Sequence, residues 1–277
     1  FGGSIVGPVA LALNSGTQIF AKSGYSSGNG LYTYTGKTVI NGGTLVLAAG
    51  ITLSNTPTIE LSVSGTLDVS ASGLALGMTQ TLQGNGEVLG NVTNAGVIQP
   101  GASIGILTCS NHLELGPTSQ ALMEIIRLPL TNDLLRVSGT LHYGGSLVVT
   151  NLAGTLVAGD AFKLFDASNY VGNFATATLP SLGAGLGWQF TPSNGTLSVI
   201  TTVATNPTNI LAAVVGNALQ LSWPASHQGW RLEAQTNALA VGVGTNWWEV
   251  TGAAATNLIL MPLDVLNGSV FFRLVYP

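Results

Sequence analysis

Charge is what this chain has least of. Only 6% of its 277 residues are Asp, Glu, Lys or Arg, against about 25% in an ordinary soluble domain. Seven basic residues and a net charge of −4 provide no cationic stripe to displace counterions from a phosphate backbone, which excludes nucleic acid as a partner. The same shortage removes any polybasic attraction to anionic lipid. The one cysteine, Cys109, cannot form an intrachain disulfide and reads as a small buried apolar residue. Between Asp166 and Arg231 no charged residue intervenes, yet Gly, Pro, Asn and Ser break the stretch every few residues. No run reaches the ~18 apolar residues of a membrane helix, so no membrane span is expected. Helix signals are missing too: no window of ten or more residues combines a 3.6-residue period with caps, and only Gln120 to Leu128 has a brief helical option, which reads equally well as strand.

What remains is apolar, glycine-rich and repetitive. With 46% hydrophobic residues and 37 glycines, the chain has too much to bury for a disordered polymer. Four segments share one theme, a tight corner of Asn or Ser with Gly followed by an alternating strand: Asn41-Gly42-Gly43-Thr44-Leu45-Val46-Leu47, Ser64-Gly65-Thr66-Leu67-Asp68-Val69, Asn85-Gly86-Glu87-Val88-Leu89 and Ser138-Gly139-Thr140-Leu141-His142-Tyr143. Gly43, Gly65 and Gly86 recur at a nearly even step of about 21 residues, within the range that signals a stacked repeat in which each coil buries its apolar face against the next. Coils of about 20 residues at ~4.8 Å per rung predict roughly eight rungs and a rod of about 40 Å. Asn94-Ala95-Gly96 to Gly101 makes a further corner, and Gly144-Gly145-Ser146 follows the fourth copy closely enough for a hairpin or short coil.

These patterns divide the chain into four parts. Residues 1–30 form a degenerate first coil, a cap or an arm, with an apolar stretch from Ile5 to Leu13 and a Gly/Ser/Asn stretch from Ser23 to Gly30. Phe1 to Leu13 is too short and too lightly charged to be a secretory leader. Residues 31–200 carry the repeat. Residues 201–209, with Pro207 and no alternation, read as a linker. Residues 210–277 hold short strands at intervals of about 10 to 17 residues and four of the five tryptophans, the pattern of a small antiparallel β-sandwich.

Tyr34-Thr35-Gly36-Lys37-Thr38-Val39-Ile40-Asn41-Gly42-Gly43-Thr44-Leu45 resembles the autotransporter-associated β-strand repeat. Gly96 to Thr108, with Pro100-Gly101-Ala102-Ser103-Ile104-Gly105-Ile106-Leu107, is similar to a coil near the end of autotransporter passenger rods, and Asp133-Leu134-Leu135-Arg136-Val137-Ser138-Gly139-Thr140-Leu141 resembles the coil that follows it. The resemblance covers residues 31–200 and implies a right-handed parallel β-helix in an exported protein of the bacterial surface or extracellular space. Autotransporters end in a membrane barrel, and this chain departs from them by ending in the small Ig/fibronectin-like sandwich. The expected fold class is therefore all-β, a right-handed β-solenoid followed by that sandwich.

The chemistry is sparse. Glu60, Asp68, Glu87, Glu114, Glu124, Asp133, Asp160 and Asp166 are scattered without a paired motif. Asp68 and Glu87 are the one pair that stacking would make neighbours, and Asp133 reads as a turn residue. His112, His142 and His227 lack zinc-site spacing, and Ser103 mimics a nucleophile elbow only by spacing. No catalytic residue, metal site or cofactor is expected. Leu219, Leu221 and Trp223, then Trp230, Leu232 and Ala234, alternate as core, whereas one of the adjacent Trp247 and Trp248 must point outward. The expected partner-binding residues are Ile5, Val6, Val9, Leu11 and Leu13 at the exposed end of the solenoid, and Trp247 and Trp248. The function so predicted is a non-enzymatic extracellular structural protein that pairs head-to-tail with copies of itself. The alternatives are an adhesin or surface-polysaccharide binder and, third, a polysaccharide-cleaving β-helix enzyme.

Overall fold

A computed structural model describes residues 4–21, 32–183, 185–264 and 267–276; the Ser23–Gly30 stretch lies outside them. Its structure is all-β with almost no helix, two single-turn 3₁₀ segments at Ala225–His227 and Ala253–Ala255 among the described residues. It splits into two compact units, Phe1–Ser181 with Trp188–Val199, and Leu182–Gly187 with Ile200–Pro277.

The first unit is a parallel β-solenoid of about six turns. Its strands stack in three columns. The longest runs Leu11–Leu13, Thr38–Ile40, Thr58–Leu61, Thr81–Gly84, Val97–Pro100, Gln120–Leu122, Ser146–Val148 and Thr176–Thr178, each strand parallel to the next. A second column stacks Thr44, Thr66, Glu87, Thr108, Arg136 and Asp166. A third stacks Leu74, Val92, Leu113, Leu141 and Tyr170. Alternation puts every second residue inside, and stacking then buries it completely. Ile59, Leu82, Ile98, Ala121 and Leu147, successive inward members of the first column, are all 0% exposed.

The glycine period has a steric cause. A Cβ on Gly43, Gly65 or Gly86 would run into the carbonyl oxygen of Gly16, Ile40 or Gly65 respectively, because at this corner one coil's backbone lies directly on the coil before it. Gly43 also has φ +79°, a conformation that L side chains rarely adopt. Polar side chains finish the corners. Gln80, 4% exposed, donates to the carbonyls of Leu53 (2.8 Å) and Thr56 (2.6 Å) and accepts from Gly77 N–H (2.9 Å). Buried Asn94 accepts from Gly96 N–H at 2.9 Å, so these corner groups are satisfied without water.

The longest column stacks eight strands, the number of rungs expected, although the later coils lengthen. In the second column Thr44, Thr66 and Glu87 keep the even step of the corner glycines, but the coils from Thr108 to Arg136 and from Arg136 to Asp166 are distinctly longer. The extra chain goes into excursions such as the antiparallel hairpin of Gln120–Ile126 with Thr131–Asn132. The repeat motif changes place as a result. Leu45, Leu67 and Val88 of the first three copies stack in the second column, whereas Leu141 of the fourth stacks on Leu113 in the third. The parallel ladder ends at Thr178, and the strands Ala161–Lys163, Leu186–Thr191 and Thr196–Thr201 form a small antiparallel sheet beside an aromatic cluster of Tyr143, Phe165, Phe174 and Phe190.

The second unit contains two three-stranded antiparallel sheets, Leu211–Val215/Ala218–Ser222/Leu258–Pro262 and Trp248–Glu249/Arg231–Asn237/Ser269–Val275. One hydrophobic cluster draws from both: Leu221 and Trp223, Leu232 and Ala234, with Val250 and Ala253. The alternation read from the sequence for Leu219, Leu221, Trp223, Leu232 and Ala234 is the alternation found.

Candidate functional site

The five residues singled out near the start of the chain belong to the first rung of the solenoid. Ile5–Gly7 pairs with Tyr32–Tyr34, Leu11–Leu13 with Thr38–Ile40, and Thr17–Phe20 with Thr44–Leu47. Residues 5–20 thus pair in parallel with the coil that follows them. Their register turns Ile5, Leu11 and Leu13 inward, over Tyr32, Thr38 and Ile40, and Val6 and Val9 outward. The strands Ile5–Gly7 and Leu11–Leu13 each have a partner on one side only among the described residues. Ile5, Leu11 and Leu13 are therefore only half-buried, whereas Ile40 one rung higher is 0% exposed. Aromatic packing begins just beyond, where Phe20 stacks on Tyr32 with ring centroids 4.1 Å apart. Outside the barrel, Asn41 donates to Asn14 Oδ1 at 2.8 Å, so Asn14 begins a short amide ladder on the same rung. At the other end of the same column the last strand is Thr176-Ala177-Thr178, exposed but polar. The inward member of that last strand is Ala177, in register with the buried Leu147, while Thr176 and Thr178 lie on its outer face.

The tryptophan pair separates as alternation requires. Trp248 pairs with Ala234 on an edge strand and is 48% exposed. Trp247 is half-buried beneath Arg273, whose guanidinium carbon lies 4.2 Å from the ring centroid. Arg273 also donates to Glu233 Oε2 from Nε at 2.8 Å and Nη2 at 2.6 Å. Glu233 is further approached by Arg231 at 3.9 Å. The cation over Trp247 was not legible in sequence, because residues 247 and 273 meet only through the strand Arg231–Asn237 lying between theirs.

The carboxylates do not converge. Asp68 and Glu87 lie on adjacent strands but out of step: Glu87 is opposite Thr66 and Asp68 opposite Leu89. Asp68 is occupied with Ser70, accepting from its N–H at 3.0 Å and from its hydroxyl. The stacked pair expected from their spacing is thus not formed, because the coil at that step, from Thr66 to Glu87, is longer than the interval between the two acids. Ser103 lies on an exposed bend between the strands Val97–Pro100 and Ile106–Cys109, a strand–bend–strand context in place of the strand–turn–helix of a nucleophile elbow. His112 Nδ1 accepts from Thr140 N–H at 2.8 Å and His227 Nε2 lies 2.7 Å from the Asn206 carbonyl, so both tie loops down. Among the described residues no three His, Cys, Asp or Glu side chains gather, and burial pushes the Cys109 thiol up to about 12.

Asp133 is the most deeply buried acid among the described residues. Read from sequence as a turn residue, it is 0% exposed and clamps two segments, accepting from Gly105 N–H at 2.8 Å and Glu124 N–H at 2.7 Å. Loss of hydration pushes its carboxyl up to about 7 against the pull of those two N–H donors, with the charge of Glu124 adding to the rise. Its position, joining the bend after Pro100 to the 120–132 hairpin, makes it a positioning residue of the fold.

No protein-family model matches the chain, and no curated protein matches it.

Proposed function

We propose that this protein is a non-enzymatic structural element of the bacterial cell surface or extracellular matrix, a right-handed solenoid of the autotransporter-passenger kind followed by an Ig/fibronectin-like sandwich, and that copies join head-to-tail through the first rung. The observation that carries this reading is the first rung itself: the strands Ile5–Gly7 and Leu11–Leu13, each with one edge unpaired among the described residues, and three inward apolar side chains, Ile5, Leu11 and Leu13, left half-buried. An unpaired parallel edge over a dry core is the surface a further rung completes, supplying both the ladder hydrogen bonds and the missing layer of the core. A contact between unlike ends is heterologous and propagates. The polar surface, poor in charge and free of disulfides, suits a protein held by backbone ladders.

The experiment is negative-stain microscopy of the wild-type chain and of a Leu11→Lys, Leu13→Lys variant. Fibres with a subunit repeat in the wild type, lost in the variant, are the expected result; a wild type without fibres refutes the joint. A second reading, binding of a surface polysaccharide, rests on Trp248, a large aromatic face held in the open beside the Trp247–Arg273 pair. Glycan-array binding lost on Trp248→Ala, with an unchanged thermal midpoint, is its test.

A further inference from the structure

We propose a second, two-fold interface of this protein with its own copy: antiparallel pairing of the strand Leu211–Val215 with the same strand of another molecule. This strand contributes no member to the hydrophobic cluster of its unit. All five of its residues, Leu-Ala-Ala-Val-Val, are exposed, with Leu211 at 69% and Val214 at 67%. Since Leu211 faces the side of Ser222 and Val214 the side of Leu219, both faces of the strand are apolar and open.

The other edges of these two sheets are guarded in the ways that keep edge strands from pairing with strangers. Trp248–Glu249 is two residues long and carries a carboxylate; Ser269–Val275 carries Arg273; Leu258–Pro262 ends in proline. Leu211–Val215 has no charge, no proline and an unbroken register with Ala218–Ser222. Its outer edge has no partner among the described residues.

The strand's own sequence fits a second copy. Pairing about Ala213 sets Leu211 opposite Val215 of the other chain and Ala212 opposite Val214, apolar against apolar on each face, with the small Ala213 on the axis. No like charges meet. The pairing joins two three-stranded sheets into one of six and brings their outer apolar residues, including Leu258 and Leu260 on each sheet, onto one surface. The contact is isologous and closes at a dimer, so it is distinct from the head-to-tail joint and does not depend on it.

The test is light-scattering mass of the full chain as wild type, Ala213→Lys, Ala213→Glu and an equal mixture of the two variants, each in the Leu11→Lys, Leu13→Lys background that silences the first rung. The expected result is a dimer for the parent, a halved mass for each single variant through like charges on the axis, and a restored dimer in the mixture. A monomeric parent, an unchanged mass in the variants, or a mixture that stays monomeric each overturns the proposal. Amide exchange over Leu211–Val215 in the unsubstituted strand, expected to quicken on dilution, supplies a readout that no folding defect at residue 213 can confuse; exchange equally fast at all concentrations overturns it as well.

Discussion

The two units bury apolar side chains by opposite means. In the solenoid the strands of the inner rungs are covered on both edges by copies of their own pattern, so their inward residues, such as Ile59, Leu82, Ile98 and Ala121, reach zero exposure with no single central core. In the C-terminal unit one cluster around Leu221, Trp223, Leu232 and Ala234 does most of the apolar burying, and strands that extend beyond it carry Leu211, Val214, Leu258 and Leu260 into the open. Stacking thus leaves unmet bonds only at its ends, whereas a small sheet leaves them along every edge. Both proposed interfaces sit at such places.

The contrast is sharpest at glycines. Gly65 lies against the Ile40 carbonyl, while the position a Cβ would take on Gly216 has nothing within 4 Å. Gly65→Val should cost on the order of 4 kcal/mol, because backbone must move, and Gly216→Ala only about 1 kcal/mol, the expense of its left-handed φ; denaturant unfolding of the two variants measures the difference. Core deletions come next. Ile59→Ala, inside the first column, should lose about 3 kcal/mol, and Leu260→Ala less than about 0.5 kcal/mol. Equal losses at the two sites, in the same titration, would erase the distinction between the units.

A pH titration separates them without a core mutation. The Asp133 carboxyl is raised in the fold to about 7 from an ordinary 3.8. Between those values the folded chain holds a proton that the unfolded chain has released, so this group's contribution to stability is largest in acid and falls as pH rises towards 7. The solenoid's thermal midpoint should decline across that window in the wild type and flatten in Asp133→Asn. The smallest effect is at Arg273, half-exposed over Trp247 and paired with Glu233. Arg273→Ala should cost about 0.5 to 1 kcal/mol and shift the tryptophan emission, leaving the solenoid transition unmoved.

Much of this architecture was readable in the chain. The glycine corners at Gly43, Gly65 and Gly86 announce the stacking because close approach of backbones admits no side chain, and that constraint is local in sequence. The core tryptophans were readable for the same reason, since alternation alone assigns Trp223 and Trp230 inward. What failed was phase. Once excursions lengthen the coils between Thr108 and Asp166, a like motif at Ser138–Tyr143 lands on another column, and no pattern within the motif records the shift. Asp133 and the Arg273–Trp247 pair were hidden by the same limit. Their partners, Gly105 and Glu124 in one case and a strand well separated along the chain in the other, meet them only through register.

The most direct test of the account is strand-resolved hydrogen exchange of the whole chain, dilute and concentrated. Peptides over Thr58–Asp68 should be protected at both concentrations, and those over Ile5–Leu13 should be weakly protected when dilute and gain protection when concentrated, as the open rung acquires its partner. Protection of Ile5–Leu13 that is the same at both concentrations, whether full or absent, would contradict a first rung that serves as a joint.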